Sequence, residues 1–304
     1  MIIPGCDYPN TYREFVKMFP DDVACADYLA QLRWHEGFIC PACKKASIPW
    51  KESRGRLACP ICRHQTSVSA GTIFDKTRTS LTTWFEAAWH VTTAKNGMSA
   101  KTLERTMGIS YRVAMVDSER KQLSGNVEVD ESLIGGIQHG GKRERGTTKS
   151  IVVIAVEIKQ PKGFGRVRMR YIPDASSNSL LPFICDVIAP GSVVQTDGWS
   201  GYNGLSKQGY TRRITVLSSS GDPAHVSMPG VHRLASLLKR WILGTHQGSL
   251  VHDHLQSYLE EYTFRFNRRT SRSRGLVFRR LLEQAVVTDP ITESDVTNDY
   301  DWGL

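Results

Sequence analysis

Apolar positions along this chain repeat with two periods, one near 3.6 residues and one of two, and the changes between them mark its organisation. Leu81, Trp84, Phe85, Ala88, Trp89 and Thr92 recur at i, i+3, i+4, i+7, i+8 and i+11, one face of a helix that Ser80 is placed to cap. Asn96-Gly97 breaks that pattern. Ser99 then caps a short helix from Ala100 to Met107, Gly108 closes it, and Ser110 opens a third from Tyr111 to about Leu123. Helix, short helix, tight turn, helix is a helix-turn-helix layout. A plain three-helix connector would give the same pattern.

After Gly125-Asn126 the period drops to two. Short β-branched runs predict strands at Val127–Asp130, Ile151–Ile158, Arg166–Ile172, Val193–Asp197 and Thr211–Leu217. Helical spacing predicts Ser179–Ile188, a short Tyr202–Gln208, Val231–Leu243 and His254–Phe266. The order is β-β-β-α-β-α-β-α-α, that of the ribonuclease H fold, in which the first and fourth strands lie side by side. The expected fold class is α+β and multidomain. Its parts are an N-terminal helical lead (1–35), a zinc ribbon (36–68), a helix-turn-helix region (78–123), a ribonuclease-H-like α/β core (125–285) and an acidic, disordered tail (286–304).

Composition changes this picture in two places. The formal net charge is +9, and the five acids between Asp289 and Leu304 face no base there, so the rest of the chain carries +14. Arg265 to Arg280 holds seven arginines and no acid. Such a cluster neutralises phosphates and releases their counterions, the main source of non-specific nucleic-acid affinity; a solvated basic face is the alternative. On the third helix of the reader, Arg112, Ser118, Arg120 and Lys121 would face the major groove. No stretch reaches the roughly 18 apolar residues of a membrane span, and no secretory signal opens the chain. The expectation is a cytoplasmic, nucleoid-associated protein.

The cysteines fall into ligand spacing. Cys40-Pro41-Ala42-Cys43 and Cys59-Pro60-Ile61-Cys62 give C-x2-C-x15-C-x2-C, a zinc signature. Two residues between thiols let one tight turn present both sulfurs to one ion, and four thiolates close a tetrahedral structural site. A redox dithiol and an iron site share the spacing. Trp34, Lys44, Lys45, Trp50, Lys51, Arg54, Arg56, Arg63 and His64 surround the knuckles, a composition suited to touching nucleic acid. Cys6, Cys25 and Cys185 have no ligand spacing.

Asp130 closes the first predicted strand and Asp197 the fourth, so strand pairing would bring two carboxylates together. Paired carboxylates hold hard divalent ions such as Mg²⁺ or Mn²⁺, and two ions about 3.5–4 Å apart serve an in-line displacement at phosphorus. Here the residues resemble a family. Val127-Glu128-Val129-Asp130-Glu131-Ser132, Thr196-Asp197-Gly198-Trp199 and His232-x3-Ser236-x2-Lys239-Arg240-Trp241-x2-Gly244-Thr245 are similar to insertion-sequence transposases of the zinc-ribbon, ISXO-type DDE group. Tyr258-Leu259-x-Glu261-x2-Phe264-Arg265-Phe266-Asn267-Arg268-Arg269 resembles that group's C-terminal motif.

The resemblance implies that Asp130 and Asp197 are the first two catalytic acids. It also implies that the third position, seven residues before Lys239, is His232 where the family usually has Glu. His232, Ser236 and Lys239 lie within about 60° on a helical wheel, away from Leu234, Leu237, Leu238, Trp241 and Ile242. His232 is expected to give a nitrogen ligand or position water, and Lys239 to contact phosphate. Glu261 and Glu260 are the rival third acids.

The expected function is that of a DNA transposase: it binds double-stranded DNA at inverted-repeat ends and at a target, and cuts and joins strands with divalent metal. Lys239, Arg240, Arg265, Arg268 and Arg269 are candidate DNA contacts beside the reader. A homo-oligomer, structural Zn²⁺ and no small-molecule cofactor complete the reading. Two alternatives stand beside it, a domesticated, catalytically weak regulator and a structure-selective nuclease. All three require a test of whether Asp130 and Asp197 meet.

Overall fold

The computed structural model describes residues 2–52, 55–94, 97–98, 121–135, 149–159, 161, 163–215, 228–246 and 255–290. The second and third helices of the expected reader, with Arg112, Ser118 and Arg120, lie outside the described residues, as do 136–148 and 291–304. The chain divides into two compact units, one of Met1–Ser118 with Thr270–Asp295, the other centred on Glu119–Arg269.

The first unit holds helices α1 (Tyr12–Met18), α2 (Asp22–Arg33) and α3 (Leu81–Thr93), and a small antiparallel sheet of β1 (Trp50–Lys51), β2 (Leu57–Ala58) and β3 (Gln65–Thr66). Thr11, Asp21 and Ser80 each accept the N–H three residues on, satisfying an orphan donor of the first turn. Ser80 thus caps where the sequence places it. The unit is completed by a helix over Arg274–Ala285, which the sequence reading leaves unassigned within the core region.

Phe278 of that last helix is fully buried, with the rings of Phe15, Phe19, Phe85 and Trp89 at 5.7, 5.8, 5.9 and 5.7 Å. Leu282 and Val286 join the same core, so the expected tail begins later than 286. Gly275 is required here: a Cβ would lie 1.6 Å from the Pro9 carbonyl oxygen.

The second unit is a three-layer α/β sandwich. Its strands are β4 (Asn126–Ile134), β5 (Ser150–Ile158), β6 (Phe164–Ile172), β7 (Val193–Thr196) and β8 (Thr211–Ile214), in the spatial order β6-β5-β4-β7-β8. The β6-β5-β4 pairs are antiparallel, and β4-β7 and β7-β8 are parallel. The first and fourth strands of the unit are therefore neighbours, as the element order predicts. Helix α4 (Ser177–Val187) covers one face; α5 (Pro229–His246) and α6 (Leu255–Asn267) cover the other. The Arg274–Ala285 helix of the first unit is α7.

Period-two alternation makes both cores. Val152, Ile154 and Val156 of β5 point to α5 and α6, while Val153 and Ala155 join α4. On β4, Val127 and Val129 join the α4 face, so Glu128 and Asp130 take the α5 face. The predicted Tyr202–Gln208 helix is instead two 3-10 turns, Ser200–Tyr202 and Leu205–Gln208, ended by Gly209 at φ 85°. Edge strand β6 is sealed by α6 and the residues after it. Gln256 accepts the Tyr171 N–H, Asn267 bonds both backbone groups of Val167, and Arg269 donates to the Phe164 and Gly165 carbonyls.

Candidate active site

Parallel pairing of β4 with β7 runs toward the two aspartates. Asn126 faces Val193, Val127 faces Val194 and Glu128 faces Gln195; that register carried two residues on leads to Asp130 and Asp197, and the Asp197 charge reaches the Asp130 carboxyl. Each is held through one oxygen. The Glu131 N–H donates to Asp130 Oδ1 at 2.9 Å, and the Trp199 N–H to Asp197 Oδ1 at 2.9 Å. The turn after β7 is pinned by Arg212, which donates to Thr196 Oγ1 and to the carbonyls of Asp197 and Trp199 at 3.0, 2.9 and 3.0 Å.

Helix α5 brings the third group. His232 Nε2 lies 3.9 Å from Asp130 Oδ2, and it is buried with no hydrogen-bond partner among the described residues. The helix begins on a carboxylate from β4: Glu128 Oε2 accepts the Val231 N–H at 3.0 Å, and the Gly230 N–H reaches the same group. On the opposite face of β4, the Tyr202 hydroxyl donates to Glu131 Oε1 at 2.8 Å.

Burial dominates the electrostatics of these acids, and their charges add to it. Burial pushes the Asp130 carboxyl up, and the Asp197 charge adds to this, against the Glu131 N–H and His232. Burial also raises Glu131, to about 7; the Tyr202 hydrogen bond opposes, while Asp130 and Asp197 add to the rise. Glu128 is raised by burial, opposed by the N–H groups of Val231 and Gly230. A cation between Asp130 and Asp197 would offset the charge that Asp197 adds at Asp130. The unpartnered His232 nitrogen aimed at Asp130 fits a ligand position for such an ion. Asp130, Asp197 and His232 do not, however, close to within 4.8 Å of one another, a spacing that only the four cysteines reach among the described residues.

The other sequence-predicted positions separate into two groups. Lys239 is exposed on the His232 side of α5, and its ammonium is lowered by burial of its stem and by the nearby Lys149 charge. Arg240 and Lys121 are exposed. Glu261 faces elsewhere: it is buried on α6, which packs on β6, and its Oε1 accepts from Arg265 Nε at 2.7 Å. Glu260 accepts from Gln256 at 3.0 Å on the same helix. Neither rival acid is brought to Asp130.

Two expected DNA contacts also serve the fold. Arg265 is the partner of Glu261, and Arg269 spends its donors on β6 carbonyls while stacking 3.9 Å from the Phe266 ring. Arg268 lies over Phe264 at 4.0 Å. Residues that the pattern did not single out are Glu131, Tyr202, Arg212 and Glu128. The two glutamates flank Asp130 in the sequence, which was the available signal; nothing local marks Tyr202 or Arg212.

In the first unit, Cys40, Cys43, Cys59 and Cys62 gather their sulfurs within 4.8 Å of one another. Cys40–Cys62 and Cys43–Cys59 are 3.6 and 3.8 Å apart. Those are not disulfide distances. They match the S–S edge of about 3.8 Å that follows from a tetrahedron with Zn–S near 2.3 Å. The two knuckles are built alike: Lys44 N–H donates to the Cys40 carbonyl and Arg63 N–H to Cys59, with Lys44 and Arg63 at φ 58° and 60°. The N–H groups of Cys62 and Ile61 favour the Cys59 thiolate and lower that thiol to about 6. Thiolates gathered this way are what zinc takes.

The ISXO2-like transposase domain family matches residues 122–267, and the transposase zinc-ribbon domain family matches residues 20–65. A protein of Halobacterium salinarum, described as an uncharacterized protein in transposable element ISH50, is 26% identical over 277 residues, 82% of this chain and 92% of that one. Among solved structures, the catalytic core domain of BIV integrase is similar with a TM-score of 0.34 at 18% identity, over 50% of this chain and 89% of that one.

Proposed function

We propose that the chain, which matches the ISXO2-like transposase domain and transposase zinc-ribbon families, binds the inverted-repeat ends of an insertion sequence and performs divalent-metal-dependent strand cleavage and strand transfer. The observation that supports this best is the parallel pairing of β4 with β7, whose register runs toward Asp130 and Asp197, together with His232 Nε2 3.9 Å from Asp130 Oδ2. Asp130, Asp197 and His232 would hold the catalytic ions, and the four cysteines a structural zinc. Such ions supply charge neutralisation at the phosphoryl group and activation of the attacking oxygen.

The protein groups do the positioning. The Glu131 and Trp199 N–H groups each hold one carboxylate oxygen, and Asp130 keeps its other oxygen turned toward His232. Preset carboxylates need no reorganisation when the phosphodiester arrives. Lys239 extends the same side of α5 by two turns and grips a phosphate beyond the scissile one. A neutral imidazole in place of a carboxylate removes one negative charge, which weakens Mg²⁺ and shifts preference toward Mn²⁺.

Purified protein given DNA that contains the element's ends, with Mn²⁺ or Mg²⁺, yields nicked and strand-transfer products, and Asp130→Asn removes them with binding intact. Intact binding with no nicking at all would exclude the enzyme. It would favour the second reading, a DNA-binding regulator descended from a transposase, for which the histidine at the third position is the supporting observation. A structure-selective nuclease would cut without regard to end sequence.

A further inference from the structure

We infer that Glu128 is a positioning residue for the proposed reaction: its carboxylate, from the same strand as Asp130, holds the N-terminus of α5 in the register that sets His232 against the catalytic acids. This rests on the proposed metal site and names a residue that acts on that site without touching substrate.

The first turn of a helix exposes N–H groups that need partners. In α5 the first residue, Pro229, has none to offer. The next two are Gly230 and Val231, and both N–H groups turn to Glu128. The His232 N–H then reaches the Met228 carbonyl at 3.4 Å. The cap comes from across the interface, out of the sheet.

The fit is close. Glu128 is 3% exposed, and a Cβ on Gly230 would lie 2.7 Å from Glu128 Oε2 and 2.6 Å from Ile158 Cδ1. Glycine at 230 therefore lets the helix start press onto the carboxylate. A buried charge on the α5 face could have been any apolar residue if packing were its whole purpose, since burying a carboxylate costs free energy that burying a valine does not. Its return is directional. Glu128 and Asp130 are two residues apart on one face of β4, and Val231 and His232 are adjacent on α5. Bonding the first pair fixes the spacing of the second, His232 Nε2 to Asp130 Oδ2 at 3.9 Å. Without the cap, the start of α5 rests on the apolar contacts of Met228, Val231 and Leu234, which are not directional and tolerate sliding.

The test uses the full chain, loaded with zinc, and measures Mn²⁺ binding by calorimetry beside nicking of end-containing DNA. Glu128→Ala is expected to weaken Mn²⁺ binding about tenfold, as loss of an outer-shell partner does. Nicking should fall about a hundredfold, the cost of misplacing a catalytic group by about 1 Å. DNA affinity should be unchanged. Glu128→Gln keeps an acceptor oxygen for the helix and is expected to restore most of both.

Should Glu128→Ala not fold, Gly230→Ala, which pushes the carboxylate off the helix start, is expected to weaken Mn²⁺ in the same way. Wild-type Mn²⁺ affinity in the folded variants would overturn the inference. So would a loss in Glu128→Gln as deep as in Glu128→Ala, which would make Glu128 a direct ligand. Mn²⁺ binding does not need cleavage: a wild-type protein that binds the ion but never nicks removes the transposase reading and leaves this one to be judged on affinity.

Discussion

Replacing His232 with Glu restores the acid that the transposase resemblance leads one to expect, and electrostatics gives the cost. The imidazole nitrogen is 3.9 Å from Asp130 Oδ2, with the two side chains 30% and 18% exposed. Two like charges at that distance repel by about 4 kcal/mol at an effective dielectric of 20 and about 1 kcal/mol in water. The partial burial places His232→Glu at about 2–4 kcal/mol of destabilisation without divalent ions. The readout is urea unfolding of zinc-loaded, Mg²⁺-free protein, with hydrogen exchange of the β4 amides reporting the catalytic unit alone.

Two controls give the number its meaning. In an Asp130→Asn background the penalty should shrink by the pairwise repulsion, which the cycle isolates, leaving the smaller share owed to Glu128. Saturating Mg²⁺ should return stability by mass action, about 2.7 kcal/mol at a hundred times the dissociation constant. A His232→Glu chain as stable as wild type without Mg²⁺, or one whose penalty is the same with Asn at position 130, would refute the claim that these two side chains face a shared ion.

Other expectations are as direct. Cys59→Ser should release zinc and melt the ribbon, seen as lost metal content and lost protection of the knuckle amides, because structural zinc binding is folding free energy. Glu157 is raised by burial, but the Arg166 guanidinium and N–H outweigh this and hold it below 4.5. Its native form thus binds fewer protons than its unfolded form. The stability it gives is fully present above about pH 4.5 and lost as pH falls through the depressed native value, so Glu157→Gln should flatten that part of an acid titration of unfolding. Phe278→Ala should cost about 3–5 kcal/mol in the first unit and leave exchange from β5 unchanged. Lys239→Ala should weaken DNA binding evenly across sequences and reduce the salt slope by about one.

Much of the catalytic unit could be read from the sequence because its strands are β-branched runs bounded by turn residues. Ile151–Ile158 has no other good conformation, and once the strand order is known, Asp130 and Asp197 follow. What could not be read depends on partners distant along the chain. Helix α7 hides behind its arginines: Val277, Phe278, Leu281 and Leu282 make its buried side, but their neighbours on either side read as a basic patch.

Glu261, Arg265 and Arg269 carry the residue types of catalysis and DNA binding, and in the fold they also make an ion pair and seal an edge strand, which no local pattern signals. Glu128 shows the reverse. It is an acid in a strand motif whose structural use is to start a helix a hundred residues later, and no local pattern encodes that.

Helix α7 also bears on how the protein is made. The aromatic cluster of the first unit waits for Phe278 and Leu282, which leave the ribosome only after the whole catalytic unit has been translated. Chains normally fold in order of emergence; here the earliest helices stay incomplete until nearly the last are synthesised. A polypeptide broken off inside the second unit would carry an unfinished first unit with exposed rings, fit for proteolysis.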